Sequence, residues 1–134
     1  MFERTQRQIL ERRFSEYADA FAADGVFELP FAPAGLPRRI EGREQIRAFL
    51  MAASERMGVA DRTWTFDSVA FHGTTDPEVI VTEFDVSGRD PAAGRSYRFA
   101  NLQVRRVRAG EILSLRDYWN PLDRPELAAL IGQR

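Results

Sequence analysis

A chain of 134 residues, 44% apolar and 29% charged, has the size and composition of one globular domain with one core. Its formal net charge of -1 gives no basic footprint for nucleic acid. Having no cysteine and one histidine excludes disulfides, thiolate chemistry and a His-rich metal site within the chain.

In chain order, the charged opening "MFERTQRQILERRF" lacks the apolar segment of a signal peptide. No apolar run approaches the roughly 20 residues that cross a bilayer. The expected setting is therefore cytoplasmic. Residues 3 to about 23 read as helical, because Leu10, Phe14, Tyr17 and Phe21 recur at spacings that share one face. Ser15 is a candidate cap for a second helix, and Gly25 a candidate helix end. "VFELPF" reads as a short strand ended by Pro30. "GREQIRAFLMAASERM" reads as a helix burying Ile46, Phe49, Leu50, Ala53 and Met57. Four strand-like runs follow: "RTWTFDSVAFH", "VIVTEFDVSG", "SYRFANLQVRRV" and "EILSLRDYW". A last helix, "RPELAALI", has Asp123 as candidate N-cap and Pro125 in its first turn. Helices first and an antiparallel meander afterwards predict a single α+β domain over residues 1–134.

The last hairpin decides where Asp117 points, because side chains alternate along a strand. A two-residue loop at Ala109-Gly110 places Asp117 opposite Leu102. A three-residue loop at Arg108-Ala109-Gly110 places it opposite Asn101. The two-residue form asks Ala109 for positive φ, so the three-residue loop is the expectation. One face then collects Phe99, Asn101, Gln103, Arg105 and Val107 with Leu113, Leu115, Asp117 and Trp119. The other collects Ala100, Leu102 and Val104 with Ile112, Ser114, Arg116 and Tyr118. The first reads as a pocket lining, although Arg105 sits awkwardly on it. A carboxylate in an apolar pocket, met by amide donors, can move protons at neutral pH. The competing reading is an ion pair between Asp117 and Arg105.

The order "FAADGVFELPFAP", "IEGREQIRAFL", then a meander ending "VRAGEILSLRDYWNPL", resembles the NTF2-like superfamily, in its SnoaL-like and ketosteroid-isomerase-like branch. Within that branch the chain is most similar to the PhzA/PhzB-type group of phenazine biosynthesis. The resemblance implies a conical α+β barrel around a hydrophobic pocket. It implies chemistry without metal or organic cofactor, and a homodimer, expected through the outer sheet face. The implied substrate is a small hydrophobic or aromatic metabolite, ketone-like or polyketide-derived, that is isomerised, cyclised or dehydrated. Neither nucleic acid nor a membrane is an expected partner. The ketosteroid-isomerase residues do not carry over: Leu29 stands at the position of the base, Thr5 near that of the tyrosine, and Gln103 near that of the oxyanion-binding aspartate. Asp117 matches the late carboxylate of the SnoaL-like and PhzA/PhzB proteins.

The expected catalytic residues are Asp117 and His72. The expected substrate-binding residues are Tyr17, Phe31, Trp64, Phe99, Asn101, Gln103, Leu115 and Trp119. A non-catalytic ligand-binding or accessory protein is the alternative function.

Overall fold

The computed structural model describes residues 2–11, 13–57, 63–90 and 94–121. The expected helix "RPELAALI", with Asp123 and Pro125, lies outside them. Helices α1 (Phe2–Leu10) and α2 (Phe14–Ala18) lead into strand β1 (Phe21–Glu28). Strand β2 (Arg39–Glu41) and helix α3 (Arg43–Met57) follow. The meander is β3 (Thr63–Gly73), β4 (Val79–Asp90), β5 (Arg95–Arg108) and β6 (Glu111–Trp119).

The six strands form one sheet in the order β2-β1-β6-β5-β4-β3, open at both ends rather than closed into a barrel. The β1–β6 pair is parallel and the other pairs are antiparallel. Strands β3 to β6 pair in chain order, whereas β1 reaches β6 from the other end of the chain. The fold is α+β, as the element order predicts.

The opening is not one helix. Arg13 precedes α2, and Ser15 lies within it. Helix α2 ends where the Ala20 N–H bonds back to the Tyr17 carbonyl at 3.1 Å. The Ala20 carbonyl then accepts from the Ile112 N–H at 2.8 Å, which draws the chain into the sheet. Phe14, Tyr17 and Phe21 are all buried, but Phe21 is buried from a strand. A spacing of four therefore continued across a change of structure. Gly25 does not end a helix; it sits where β1 shifts register against β6, between Phe21 and Val26. A Cβ there would stand 3.0 Å from the Ala22 carbonyl oxygen and 3.2 Å from that of Ile112, so the tight backbone approach needs glycine.

The main core lies between α2, α3 and the β1–β6 half of the sheet. Tyr17, Phe21, Phe27, Leu29, Ile40, Ile46, Ile112, Leu115 and Trp119 belong to it. Full burial of side chains such as Phe21, Ile46 and Leu115 stabilises by about 1.5–3 kcal/mol each. A second cluster of Phe84, Val86 and Phe99 occupies the meander half, with Phe66 edge-on to Phe84 at 5.6 Å. The face carrying both clusters is called inner below.

Candidate functional site

The β5–β6 hairpin places the candidate carboxylate by a route the sequence reading did not take. Arg108 pairs with Glu111, so the loop is the two residues Ala109 and Gly110, at φ 51° and φ 80°. Both values suit a type I′ turn. Val107 pairs with Ile112 and Arg106 with Ser114, so Leu113 is an extra, bulged residue. From there Arg105 faces Leu115, Gln103 faces Asp117 and Asn101 faces Trp119. The bulge adds the residue that the shorter loop lacks. Asp117 therefore shares its face with Asn101 and Gln103, although its direct partner is Gln103. Ile112 is fully buried on the inner face, not the outer one.

Around Asp117 the inner face is polar in a local, connected way. The Asn101 side-chain amide donates to Oδ1 of Asp117, and Gln103 Nε2 lies 3.4 Å from the same oxygen. Oε1 of Gln103 accepts from Arg105 Nε at 3.2 Å and Nη2 at 2.8 Å. Arg105 Nη1 donates to Thr5 Oγ1 of α1 at 3.1 Å. Asn101, Gln103, Arg105 and Thr5 are all buried, and Asp117 is half-buried. Thr82, across from Gln103 on β4, is buried as well.

Burial pushes the Arg105 guanidinium down from its ordinary value, while Tyr17 and Asp117 hold it up. The Tyr17 phenol is pushed up by burial; Arg105 pulls it down and Asp117 adds to the rise. A guanidinium stays charged even so. The cluster is thus a buried cation relayed through one amide to a half-buried carboxylate, beside a phenol kept protonated. It can hold a charged oxygen in a fixed orientation and present a neutral hydroxyl donor. Among the described residues, no group of three His, Cys, Asp or Glu side chains could hold a metal ion.

The structure brings Asp117, Asn101, Gln103, Leu115 and Trp119 together on the inner face, with Tyr17 coupled to them from α2. Phe99 shares that face but packs with Phe84 and Val86. The Trp64 side chain lies outside the described residues. Two expectations are corrected. His72 pairs with Val81 on the opposite face, where its Nε2 sits 2.7 Å from Glu83 and both side chains are exposed. It cannot share a site with Asp117. Phe31 is 59% exposed and packs edge-on against Tyr118, at 5.2 Å, also on the outer side. Glu83 and Asp85 both face outward, and Asp85 pairs with Arg98 at 2.7 Å. An open groove of about 990 Å³ on this outer side is bordered by Phe31, Arg38, Glu83, Leu102, Val104 and Tyr118, and touches Asn101 and Trp119.

The sequence reading weighed Arg105 only as a direct ion-pair partner of Asp117, not as a group bonded to the Gln103 amide, and named Thr5 only as the residue near the ketosteroid-isomerase tyrosine position. The signal for Arg105 was its place among the inward positions of β5. Nothing local in the sequence links Thr5 to a strand 100 residues away.

Comparison with known proteins places this chain in a family. The model of the SnoaL-like domain matches residues 2–115, ending two positions before Asp117. An uncharacterized PhzA/B-like protein of Pseudomonas aeruginosa is 38% identical over 106 residues, covering 79% of this chain and 72% of the relative. The crystal structure of a candidate isomerase from Bacillus subtilis is similar at TM-score 0.79 and 28% identity, covering 94% of this chain and 91% of that one. A phenazine biosynthesis-related protein of Pseudomonas aeruginosa shares the fold at TM-score 0.69 and 18% identity, covering 94% of this chain and 84% of that one. The chain belongs to the SnoaL-like domain family, of the NTF2-like fold.

Proposed function

We propose that this protein is an isomerase or cyclase of small ketone-like, polyketide or aromatic metabolites, with Asp117 as its acid–base group. The observation that carries this reading is the convergence of the Asn101 and Gln103 amides on one oxygen of a half-buried carboxylate. Likeness to a candidate isomerase at 28% identity supports the reaction class. In the proposed reaction Asp117 removes a proton from carbon next to a carbonyl and returns it elsewhere. The negative charge moves to the carbonyl oxygen. Tyr17, whose burial keeps its hydroxyl protonated, is the donor assigned to that oxygen. The buried apolar residues Leu115 and Trp119, which flank Asp117 on its face of β6, suit a hydrophobic substrate.

The test is deuterium uptake at the α-carbon of a panel of aromatic and polycyclic ketones in D2O, followed by proton NMR. The wild-type protein should accelerate uptake for a subset of the panel. Asp117→Asn should lose that acceleration by about 10²–10⁴-fold while keeping its fold. Undiminished uptake in the variant would refute the assignment.

One observation favours the alternative, a ligand-binding or accessory protein without catalysis. Asp117 is satisfied by two amides and electrostatically coupled to Arg105, as a structural carboxylate would be. That reading predicts ligand binding with no proton exchange in either protein. For either function we propose a homodimer through the outer face, where Ala100, Leu102 and Val104 alternate with the inward polar residues of β5. Light scattering reporting a monomer of 15.3 kDa would reject it.

A further inference from the structure

We propose that Arg105 is a positioning residue: its guanidinium fixes the amide of Gln103 so that the NH2 group, and not the carbonyl, faces Asp117. This rests on the reading of Asp117 as the acid–base group, and it assigns what controls that group.

Donor and acceptor inventory fixes the orientation of the Gln103 amide. A glutamine amide carries an acceptor on one side and a donor pair on the other, and a free amide adopts either orientation. Arginine has only donors. Nε and Nη2 of Arg105 both reach Oε1 of Gln103, at 3.2 and 2.8 Å. Committing the carbonyl to Arg105 leaves Nε2 to face Asp117, at 3.4 Å from Oδ1. The flipped amide would set N–H groups against the guanidinium and a carbonyl oxygen against the carboxylate, two repulsive contacts in place of two attractive ones. Arg105 is only 3% exposed, so water cannot readily take over its role. Thr5 holds the far side of the guanidinium at 3.1 Å, tying the relay to α1. Asn101 brings a second donor to the same Oδ1, and two donors on one oxygen set the rotation of the carboxylate.

Arg105 on β5 and Tyr17 on α2 are titratable groups of this cluster that act electrostatically on each other, and Asp117 acts on both. Thr82 of β4 and the residues Leu29, Phe27 and Ile46, from β1 and α3 and the segment after β1, carry no ionisable group. A through-space effect of the Arg105 charge and an effect passed through the Gln103 amide make different predictions.

The experiment is a pH titration of the Asp117 side-chain carboxyl carbon by 13C NMR. It compares wild type, Arg105→Lys, Gln103→Met and the double variant, with Arg105→Met as a further case. Lysine keeps a cation but has no planar fork to hold Oε1. Arg105→Lys should therefore raise the Asp117 midpoint by about half a pH unit or more, as the amide donor is lost for part of the time. In the Gln103→Met background the same replacement should produce less than half that shift. An unchanged midpoint in Arg105→Lys, or an equal shift with and without Gln103, would overturn the proposal. Should Arg105→Met fail to fold, the lysine variant alone decides. The titration reads the relay without turnover. Asp117→Asn retaining proton exchange would sink the acid–base reading and leave the relay standing; a midpoint indifferent to Arg105 would do the reverse.

Discussion

An alanine scan along β6 tests the parity on which the site depends. Leu115 and Trp119 are 0% and 5% exposed and flank Asp117 on the inner face, whereas Ser114 and Arg116 face the other way. Leu115→Ala removes a fully buried side chain from the main core, and such truncations cost about 2–5 kcal/mol. Trp119→Ala should cost about 3–5 kcal/mol. Arg116→Ala, on the exposed side, should stay within about 0.5 kcal/mol. Unfolding entropy near 2.1 cal/mol/K per residue gives this 134-residue chain roughly 0.28 kcal/mol/K. Leu115→Ala should then lower Tm by about 7–18 °C, and Arg116→Ala by no more than about 2 °C. Urea denaturation gives the free energies and calorimetry the midpoints. A reversed pattern, with Arg116 and Ser114 sensitive and Leu115 and Trp119 indifferent, would show β6 turned over. Asp117 would then face the outer groove, and the reasoning would fail.

Two further predictions concern single groups. Tyr17 has a phenol raised above its ordinary value, so the folded protein holds that proton more tightly than the unfolded chain. The associated stability is present below pH about 10 and is lost as pH rises through the folded value. Tyr17→Phe should therefore lose less stability than wild type between pH 9 and roughly 11 in urea titrations; parallel losses would show that the hydroxyl is not buried. Ala109 adopts φ 51° in the hairpin loop, at a cost of roughly 1–2 kcal/mol for a residue with a Cβ. Ala109→Gly removes that cost and adds about 0.5–1 kcal/mol of chain entropy, so it should stabilise by about 0.5–1 kcal/mol in urea titrations. Destabilisation would mean that the turn is not type I′.

Much of the fold was legible because the meander obeys a period of two. Thr82, Phe84 and Val86 alternate with Glu83 and Asp85, and the inner and outer sets of β5 follow the same rule. Phe21 was misread because a spacing of four holds for a buried helix face and, by coincidence, for a strand that the backbone of Ile112 captures. The hairpin loop was misread on sound local chemistry, since Ala109 does disfavour positive φ. Pairing along β5 and β6 outweighs that local preference, and the Leu113 bulge returns the later residues to the same faces. The cluster of Asp117, Asn101 and Gln103 could thus be found from alternation alone. Its connection to Arg105 and Thr5 could not, because it depends on an approach between α1 and β5 that no local pattern encodes. Phe31 and His72 were misplaced because no local pattern orients them: Phe31 sits in the segment after β1 and packs on Tyr118, and His72 lies on β3, beyond a register shift between Asp67 and Ala70.

The most direct test of the account is a crystal structure with the ketone that shows deuterium uptake bound to the protein. The account predicts that its α-carbon lies about 3–3.5 Å from a carboxylate oxygen of Asp117, on the sheet face shared with Gln103 and Trp119. A ketone seated only in the outer groove, between Phe31 and Tyr118 and out of reach of that carboxylate, would contradict it.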